Sequence, residues 1–488
     1  MHRANTSSLD LQAIAKQVML EHGFEPDFPA QIPQQLAKLK THPPQIAAGG
    51  DMRDLRNLLW SSIDNDTSRD LDQIEVAQRL SSGDVKVMIG IADVDAFVAR
   101  QTPIDQHAAR ETTTVYAGVR NFPMLPEELS TGASSLLEDQ DRLSVVTEFV
   151  VDSGGSLKAS DVYRAIVRNH AQLQYNSTGA WLEGTAPAPP KIASSPELQA
   201  QLKLQDEVAQ ALRQQRFEHG ALNLQTDELH PVIVDQQVVD VVNQQKNHAT
   251  ELIEDFMVAA NGVVARMLEK VSSLRRIVRT PERWDRIVQL AATKGGKLPA
   301  QPDSKALNDF LLQRRAADPD HFADVSLIVI KLIGPGEYVL ERPGDIAPGH
   351  FGLAVQDYTH STAPNRRFAD VVTQRIIKAV LSGSPHPYSD GELTAIAANC
   401  TQKEDAAKKV EREMSKRLAA LAMQHRIGEV FDAIVAGVTD HGTFVRVLHP
   451  HLEGLLAQGN QGLDVGDRLR ARLIRTDARK GFIDFARV

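Results

Sequence analysis

The chain has 488 residues, which at about 100 to 200 residues per domain allows two to four domains. Its single cysteine, Cys400, excludes an internal disulfide framework; a buried, inert thiol in a reducing compartment is the simplest interpretation. No stretch of about 18 apolar residues occurs and residues 1–21 carry no long apolar run, so we expect neither membrane spanning nor secretion but a cytoplasmic protein.

The net charge of −9 is unusual for a protein that binds nucleic acid, because phosphate contacts come mainly from Lys and Arg. Local charge differs from this global value, since residues 266–297 are rich in Arg and Lys and poor in acids. Such a segment can line a path for phosphates or form the solvated face of a helix, and the sequence leaves both interpretations open.

The first 50 residues contain one amphipathic helix candidate, Leu9 to His22, followed by a stretch punctuated by prolines. This segment is too short to form a domain with its own core. We therefore interpret residues 1–50 as a lead-in to the region that follows.

An acidic loop then separates two short apolar segments. Residues 60–63 have the pattern of the end of a strand and residues 74–80 alternate like the next one, so Asp64, Asp70 and Asp72 would extend from a sheet edge. Carboxylates this close repel unless a cation neutralises them, and Mg²⁺ prefers carboxylate oxygens while it keeps waters and substrate phosphates. A solvated acidic turn is the alternative. A calcium loop is disfavoured, because the Gly at the sixth position and the closing Glu are missing.

A hairpin is predicted from residues 74–80 and 85–92, and helical patterns dominate only after residue 196. The hairpin ends at Asp93, a candidate either for support of the acidic site or for a cap. An Ala/Pro/Ser-rich stretch at residues 179–196 is interpreted as an exposed linker. Helices are predicted at residues 197–217, 251–271 and 393–426.

The pattern changes again near residue 428, where short strand-like segments alternate with glycine turns. They lie at residues 430–435, 442–448, 455–456, 468–474 and 481–485. Short strands at this spacing predict a small barrel.

Several sequence blocks, taken together and in order, resemble the catalytic (RNB) domain of the ribonuclease II family. The resemblance extends from about Asp51 to the C-terminus. The blocks are residues 64–73, 91–94, 123–130, 254–261 and 360–370. Residues 437–445, with 453–455 and 465–467, resemble an S1 RNA-binding domain, which is an OB-type barrel.

This resemblance implies an α+β fold in which a mixed catalytic domain with many helices is followed by a small all-β OB-type barrel. The implied division is a lead-in at 1–50, a catalytic domain with C-terminal helices at 51–427 and an S1 domain at 428–488. The two cold-shock domains that usually precede the lead-in in this family are absent from the sequence.

The resemblance also assigns roles to the acidic loop. Asp64, Asp70 and Asp72 match three of the four loop aspartates of the family, and Gln73 takes the place of the fourth. Asp72 would be the residue most directly needed for hydrolysis, while Asp64 and Asp70 hold Mg²⁺, or Mn²⁺ in its place. Two ions about 3.5 to 4 Å apart would activate the attacking water and stabilise the departing ribose 3′ oxygen. The amide of Gln73 can face a metal or its water but lacks the negative charge.

Three further residues match the family near the site. Arg366 matches the catalytic arginine, whose fork holds phosphate oxygens, and Arg367 beside it is interpreted as a surface partner of an acid. Glu411 matches a late glutamate near the site; the alternative is one charge on a solvated helix. Tyr116 matches the aromatic residue that clamps the terminal nucleotide, and the alternative is a core tyrosine.

In the barrel, the resemblance implies stacking surfaces at Phe431, His441 and Phe444, with positive charge from Arg446. Each of the aromatic side chains has a core position as its alternative.

The implied function is that of a processive 3′-to-5′ exoribonuclease that binds single-stranded RNA and releases nucleoside 5′-monophosphates; protein partners cannot be inferred. An RNA-binding pseudoenzyme is the first alternative, because Gln73 replaces an acid. An aspartyl-phosphate phosphatase using Asp70 and Asp72 is the second, and the barrel disfavours it.

Overall fold

The computed structural model describes residues 10–47, 49–225, 228–234, 237–244, 246–346, 348–439, 442–448, 450 and 452–488, with the backbone alone for 228–244. Within these residues no helix is both long and apolar enough to cross a membrane. The α-helices are α1 (Leu11–Glu21), α2 (Ile32–Thr41), α3 (Pro103–Glu111), α4 (Tyr175–Leu182), α5 (Pro190–Ala193), α6 (Pro196–Glu218), α7 (His248–Met267), α8 (Trp284–Thr293), α9 (Ser304–Ala317), α10 (Phe322–Ile333), α11 (Phe368–Ser382) and α12 (Asp390–Ala422).

The strands fall into one large sheet, three small pairs and a barrel. Those before the barrel are β1 (Met52–Asp54), β2 (Trp60–Asp64), β3 (Gln73–Arg79), β4 (Val85–Ala92), β5 (Val115–Tyr116), β6 (Asn121–Phe122), β7 (Asp141–Val151), β8 (Leu157–Gln174), β9 (Glu228–Val234), β10 (Gln237–Gln244), β11 (Ser273–Ile277) and β12 (Glu337–Glu341). Those of the barrel are β13 (Val430–Thr439), β14 (Gly442–Val447), β15 (Leu452–Gln458), β16 (Arg468–Asp477) and β17 (Phe482–Arg487).

The large sheet has the strand order β1-β8-β2-β3-β4-β7. The long strand β8 pairs in parallel with β1 and β2 and antiparallel with β7, so the sheet curls back on itself. The predicted hairpin is confirmed as β3 and β4, and Gly83 adopts φ +92° in its turn, which a residue with a Cβ rarely adopts. The main core lies between this sheet and helices such as α7, where Phe149 and Phe256 pack edge to face.

The N-terminal segment packs on helix α12 and on the main core instead of forming a core of its own. Val18 and Met19 of α1 share an apolar cluster with Val410 and Met414 of α12. Helix α2, which contains Pro33, was not predicted within the stretch punctuated by prolines. Proline in the first turn of a helix is compatible with it, since the N–H there has no intrahelical partner.

The C-terminal strands form the predicted barrel, closed in the order β13-β14-β15-β17-β16. The mixed α+β fold with a small barrel is therefore confirmed. The stretch 179–196 is only partly the exposed linker that was predicted, because α5 forms within it and buries Ile192 completely.

Helix α12 is a single helix of 33 residues, begun by a capping box in which Ser389 and Glu392 bond to each other's backbone N–H groups. Its C-terminal end, including Ala419 and Ala420, belongs to the core of the barrel. One continuous element therefore joins the part of the chain before the barrel to the barrel itself.

Candidate active site

The acidic loop runs from Asp64, the last residue of β2, to Gln73, the first of β3. Asp64 Oδ1 accepts the N–H of Asn65 at 2.7 Å and the hydroxyl of Ser68 at 3.0 Å. Asp72 is 3 % exposed. Burial raises the pKa of Asp64 and raises that of Asp72 to about 7, because a buried carboxylate loses hydration. These carboxylates need a counter-charge in order to stay ionised.

The segment around the π-helical turn Leu129–Ala133 holds the loop in place. The Ser135 hydroxyl accepts the N–H of Leu71 at 3.0 Å and donates to the carbonyl of Arg69 at 2.6 Å. The neighbouring Ser134 hydroxyl donates to Asn365 Oδ1 at 2.6 Å. This segment thus ties the acidic loop to the loop that carries Arg366.

Arg366 and Asp72 lie against each other. The backbone N–H of Asn365 donates to Asp72 Oδ1 at 2.8 Å, and Arg366 Nε lies 3.4 Å from Asp72 Oδ2. The Arg366 side chain is 46 % exposed, so an anion can reach it. Arg367 pairs with an acid as expected, but the pair is not on the surface: Arg367 Nη2 donates at 2.8 Å to Asp370, which is fully buried.

Tyr116 links two of the acidic residues. Its backbone N–H donates to Glu411 Oε1 at 3.0 Å, and its hydroxyl lies 3.4 Å from Asp70 Oδ2. Tyr116 is 40 % exposed, so it is not a core residue. Glu411 on α12 accordingly contacts the site, whereas a charge on a solvated helix face would not.

Two residues near the site were missed from the sequence. Glu75 on β3 is completely buried, and burial raises its pKa well above the ordinary carboxyl value; the charge of Asp64 raises it further. Tyr175 begins α4 directly after β8, and burial raises its pKa, as do the charges of Asp64 and Glu75. Glu75 falls on a polar position of the alternating segment 74–80, so no signal in the sequence indicated that its side chain is buried.

The donor chemistry suits a hard divalent cation. Asp64, Asp70, Asp72 and the amide of Gln73 offer oxygen atoms, which Mg²⁺ prefers. Among the residues that the structure describes, no three His, Cys, Asp or Glu side chains already meet as a metal-binding group. Because Mg²⁺ keeps waters and substrate phosphates in its shell, an incomplete set of protein ligands suits it.

Asp93 is a cap rather than a member of the site. Its carboxylate accepts the N–H of Ala96 at 3.2 Å and the ammonium of Lys378 at 2.9 Å.

The barrel residues are divided between core and surface. The prediction for Phe431 is wrong: the ring is 6 % exposed and packs edge to face on Phe485 in the barrel core. Phe444 is half-buried and alternates with the buried Thr443 and Val445, so it lies on the outer side of β14. Arg446 pairs with Asp324 of α10, so its charge is already matched. His441 lies outside the described residues.

The basic segment 266–297 is partly structural. Arg275 is 1 % exposed and pairs with Glu341, and Arg276 pairs with Glu404. Arg266, Arg283 and Arg286 are exposed and remain candidates for phosphate contacts. A phosphate path along this segment would therefore use its exposed side chains and not Arg275 or Arg276.

Residues 52–383 match the RNB domain, and residues 429–488 match the C-terminal S1 domain of RNase II-type exonucleases. The first match covers more than half of the chain, so the chain belongs to the RNB-domain family, and the resemblance drawn from the sequence is confirmed. Ribonuclease R of Escherichia coli (strain K12) is 31 % identical over an alignment of 448 residues, which covers 88 % of this chain and 54 % of that protein. The chain thus spans about half the length of this relative.

Two solved structures show the same fold. Ribonuclease R of Mycoplasma genitalium, in complex with ribose methylated single-stranded RNA, matches with a TM-score of 0.84 and 22 % identity over 98 % of this chain and 78 % of that one. Yeast Ssd1, described as a pseudonuclease, matches with a TM-score of 0.71 and 16 % identity over 97 % of this chain and 58 % of that one. Identities this low show the fold alone.

Proposed function

We propose that the protein is a processive 3′-to-5′ exoribonuclease, dependent on Mg²⁺ or Mn²⁺, that hydrolyses single-stranded RNA to nucleoside 5′-monophosphates. The observation that carries the proposal is the contact between buried Asp72 and exposed Arg366 beside an acidic loop that Tyr116 overlies. The family of the chain and the single-stranded RNA bound to its structural relative support it.

Each residue has a distinct task in this proposal. Asp64, Asp70, Asp72 and Gln73 would hold the divalent cation, which supplies Lewis-acid chemistry when bound. Arg366 binds non-bridging oxygens of the scissile phosphate and offsets the charge that develops there. Tyr116 stacks on the terminal base, and Glu411 positions Tyr116 through its backbone N–H.

The test compares Asp72→Asn with Asp66→Asn in the full chain. Asp66 lies in the same loop but is exposed, so its amide variant controls for loss of one loop charge. We expect Asp72→Asn to abolish hydrolysis while RNA binding stays within a few fold, and Asp66→Asn to behave like the parent. Unchanged turnover in Asp72→Asn would overturn the assignment.

Direction and product follow from labelled single-stranded RNA in Mg²⁺ and in EDTA. A 3′ label should appear at once as a mononucleotide, whereas a 5′ label should pass from the full-length strand to a short end product with few strands of intermediate length. Early release of a 5′-labelled mononucleotide would contradict the direction, and internal fragments would contradict exonucleolytic cleavage.

A catalytically impaired RNA-binding protein is the second candidate, favoured by Gln73 in place of an acid and by the fold shared with the pseudonuclease Ssd1. It predicts RNA binding by the parent protein without any metal-dependent turnover.

A further inference from the structure

Glu75 is an unusual residue for the centre of a sheet. It lies on β3 between Ser61 of β2 and Ile89 of β4, and it is 0 % exposed. Neither carboxylate oxygen has a hydrogen-bond partner, and the buried hydroxyl of Ser61, directly opposite, has none either. A buried polar group without a partner is costly and requires an explanation, such as an ion or a water.

The position of Glu75 relates it to the acidic loop. Residues two apart in a strand project from the same face, so Glu75 lies on the face of β3 that also carries Gln73, about 6.6 to 6.8 Å along the strand. Gln73 is the position at which the acidic loop has an amide instead of a carboxylate. Ser61 of β2 pairs with Glu75, and Asp64 ends β2 three residues further on, so Glu75 lies beside the strand that carries a carboxylate of the acidic loop.

A neutral, purely structural glutamic acid is the simplest alternative. It would still leave a carboxyl O–H donor and its acceptors unsatisfied, because no group within the described residues bonds to either oxygen. An apolar residue would fill this buried position without that cost. A cation at the neighbouring loop, in contrast, gives the negative charge a function.

We propose that Glu75 supplies the negative charge that Gln73 lacks, and thereby acts as a positioning residue for the divalent cation at the acidic loop. The inference rests on the proposed metal site of the preceding subsection. The charge has moved by two residues along the same face of β3. Gln73 then offers an uncharged oxygen, and Glu75 compensates for the missing carboxylate from inside the sheet.

The experiment measures Mn²⁺ binding to the full chain without RNA, by titration calorimetry and by the electron paramagnetic resonance signal of free Mn²⁺. Removal of residues that support a metal ligand typically weakens affinity by about 10- to 100-fold, and we expect Glu75→Gln to do the same. In the double variant Gln73→Asp/Glu75→Gln, the charge returns to the loop, and affinity should recover to within a few fold of the parent.

Glu111→Gln is the matched control. Glu111 is also a buried carboxyl with an unpartnered oxygen, but the charges acting on it are those of Glu25, Lys403 and Arg110, and not those of the acidic loop. Its Mn²⁺ affinity should equal that of the parent. If Glu75→Gln fails to fold, Glu75→Leu, which needs no polar partner, takes its place in the comparison.

Parent-like Mn²⁺ affinity in Glu75→Gln or Glu75→Leu would overturn the inference, and so would a double variant no better than the single one. The proposed function fails separately: a protein that binds Mn²⁺ through Glu75 yet never hydrolyses RNA keeps the inference and loses the exoribonuclease. A parent protein that binds no Mn²⁺ without RNA would overturn the inference, whereas the proposed function would still be decided by hydrolysis of RNA in Mg²⁺ and in EDTA.

Discussion

Arg366 and Arg367 are neighbours in sequence, but the structure predicts opposite consequences for their removal. The Arg366 side chain is 46 % exposed, and Asp72 keeps the hydrogen bond from Asn365 when the guanidinium is lost. Asp72 is buried, but its half-exposed partner lies at the longer distance of 3.4 Å, so Arg366→Ala should cost clearly less stability than Arg367→Ala. Loss of a preorganised transition-state donor typically lowers kcat by about 10²- to 10³-fold, or about 2.7 to 4 kcal/mol.

Arg367 contacts Asp370, which is 0 % exposed and also accepts the N–H of Ala363 at 2.8 Å. Removing Arg367 leaves this buried carboxylate without its cation, which typically costs about 3 to 5 kcal/mol of folding free energy. We therefore expect Arg367→Ala to lower stability strongly, while the fraction that remains folded keeps most of its turnover.

The assay pairs urea unfolding, followed by circular dichroism, with single-turnover hydrolysis of a short oligoribonucleotide at saturating enzyme. Saturation separates chemistry from binding. The reasoning is refuted if Arg366→Ala is destabilised as strongly as Arg367→Ala, or if its single-turnover rate is unchanged. A loss confined to affinity would make Arg366 a binding residue only.

Three further predictions concern single side chains. Tyr116→Ala should weaken binding of short RNA by about 1 to 3 kcal/mol, the value typical of one stacked base, whereas Tyr116→Phe should bind normally. Equal losses of affinity for the two variants in fluorescence-anisotropy titrations would assign the role to the hydroxyl. Phe431→Ala should cost about 3 to 5 kcal/mol of stability because its ring is in the barrel core. Phe444→Ala should mainly lower RNA affinity, because its ring lies on the outer side of β14. The opposite pattern in thermal unfolding and RNA binding would contradict these two placements. Burial, and then the charge of Arg110, lower the pKa of His107 from 6.5 to about 4. The unfolded chain therefore takes up the proton at a higher pH than the folded chain. The stability that is present above pH 6.5 is lost as the pH falls through about 4. His107→Gln should remove about 3 kcal/mol of that pH dependence, and parallel unfolding free energies for the two proteins between about pH 7 and pH 4 would disprove it.

The sequence predicted the elements that depend on local pattern. The β3–β4 hairpin and the barrel strands follow from alternation and turn residues, and the positions of Asp72, Arg366 and Tyr116 near one another follow from family resemblance. The packing of individual side chains could not be predicted. Phe431 and Phe444 are both aromatic residues of predicted barrel strands, and only the register of those strands decides which ring is inside.

Gln73 and Glu75 illustrate the same limit within the site. The loss of an acid at residue 73 was visible in the sequence. The buried, unpaired carboxylate of Glu75 was not, because an alternating strand pattern does not reveal whether a polar residue has a partner. Its significance depends on how the neighbouring strands pack around it, such as the pairing of Glu75 with Ser61 of β2.

Helix α12 places Glu411 against Tyr116 and, further along, Ala419 in the barrel core, with no break between them. An α-helix turns by about 100° and rises about 1.5 Å per residue. An insertion of one residue between these two positions would therefore rotate the barrel around the helix axis relative to Tyr116. The number of residues in this helix therefore sets the rotation of the barrel relative to the proposed active site. Evolution can change the sequence of this stretch more freely than its length.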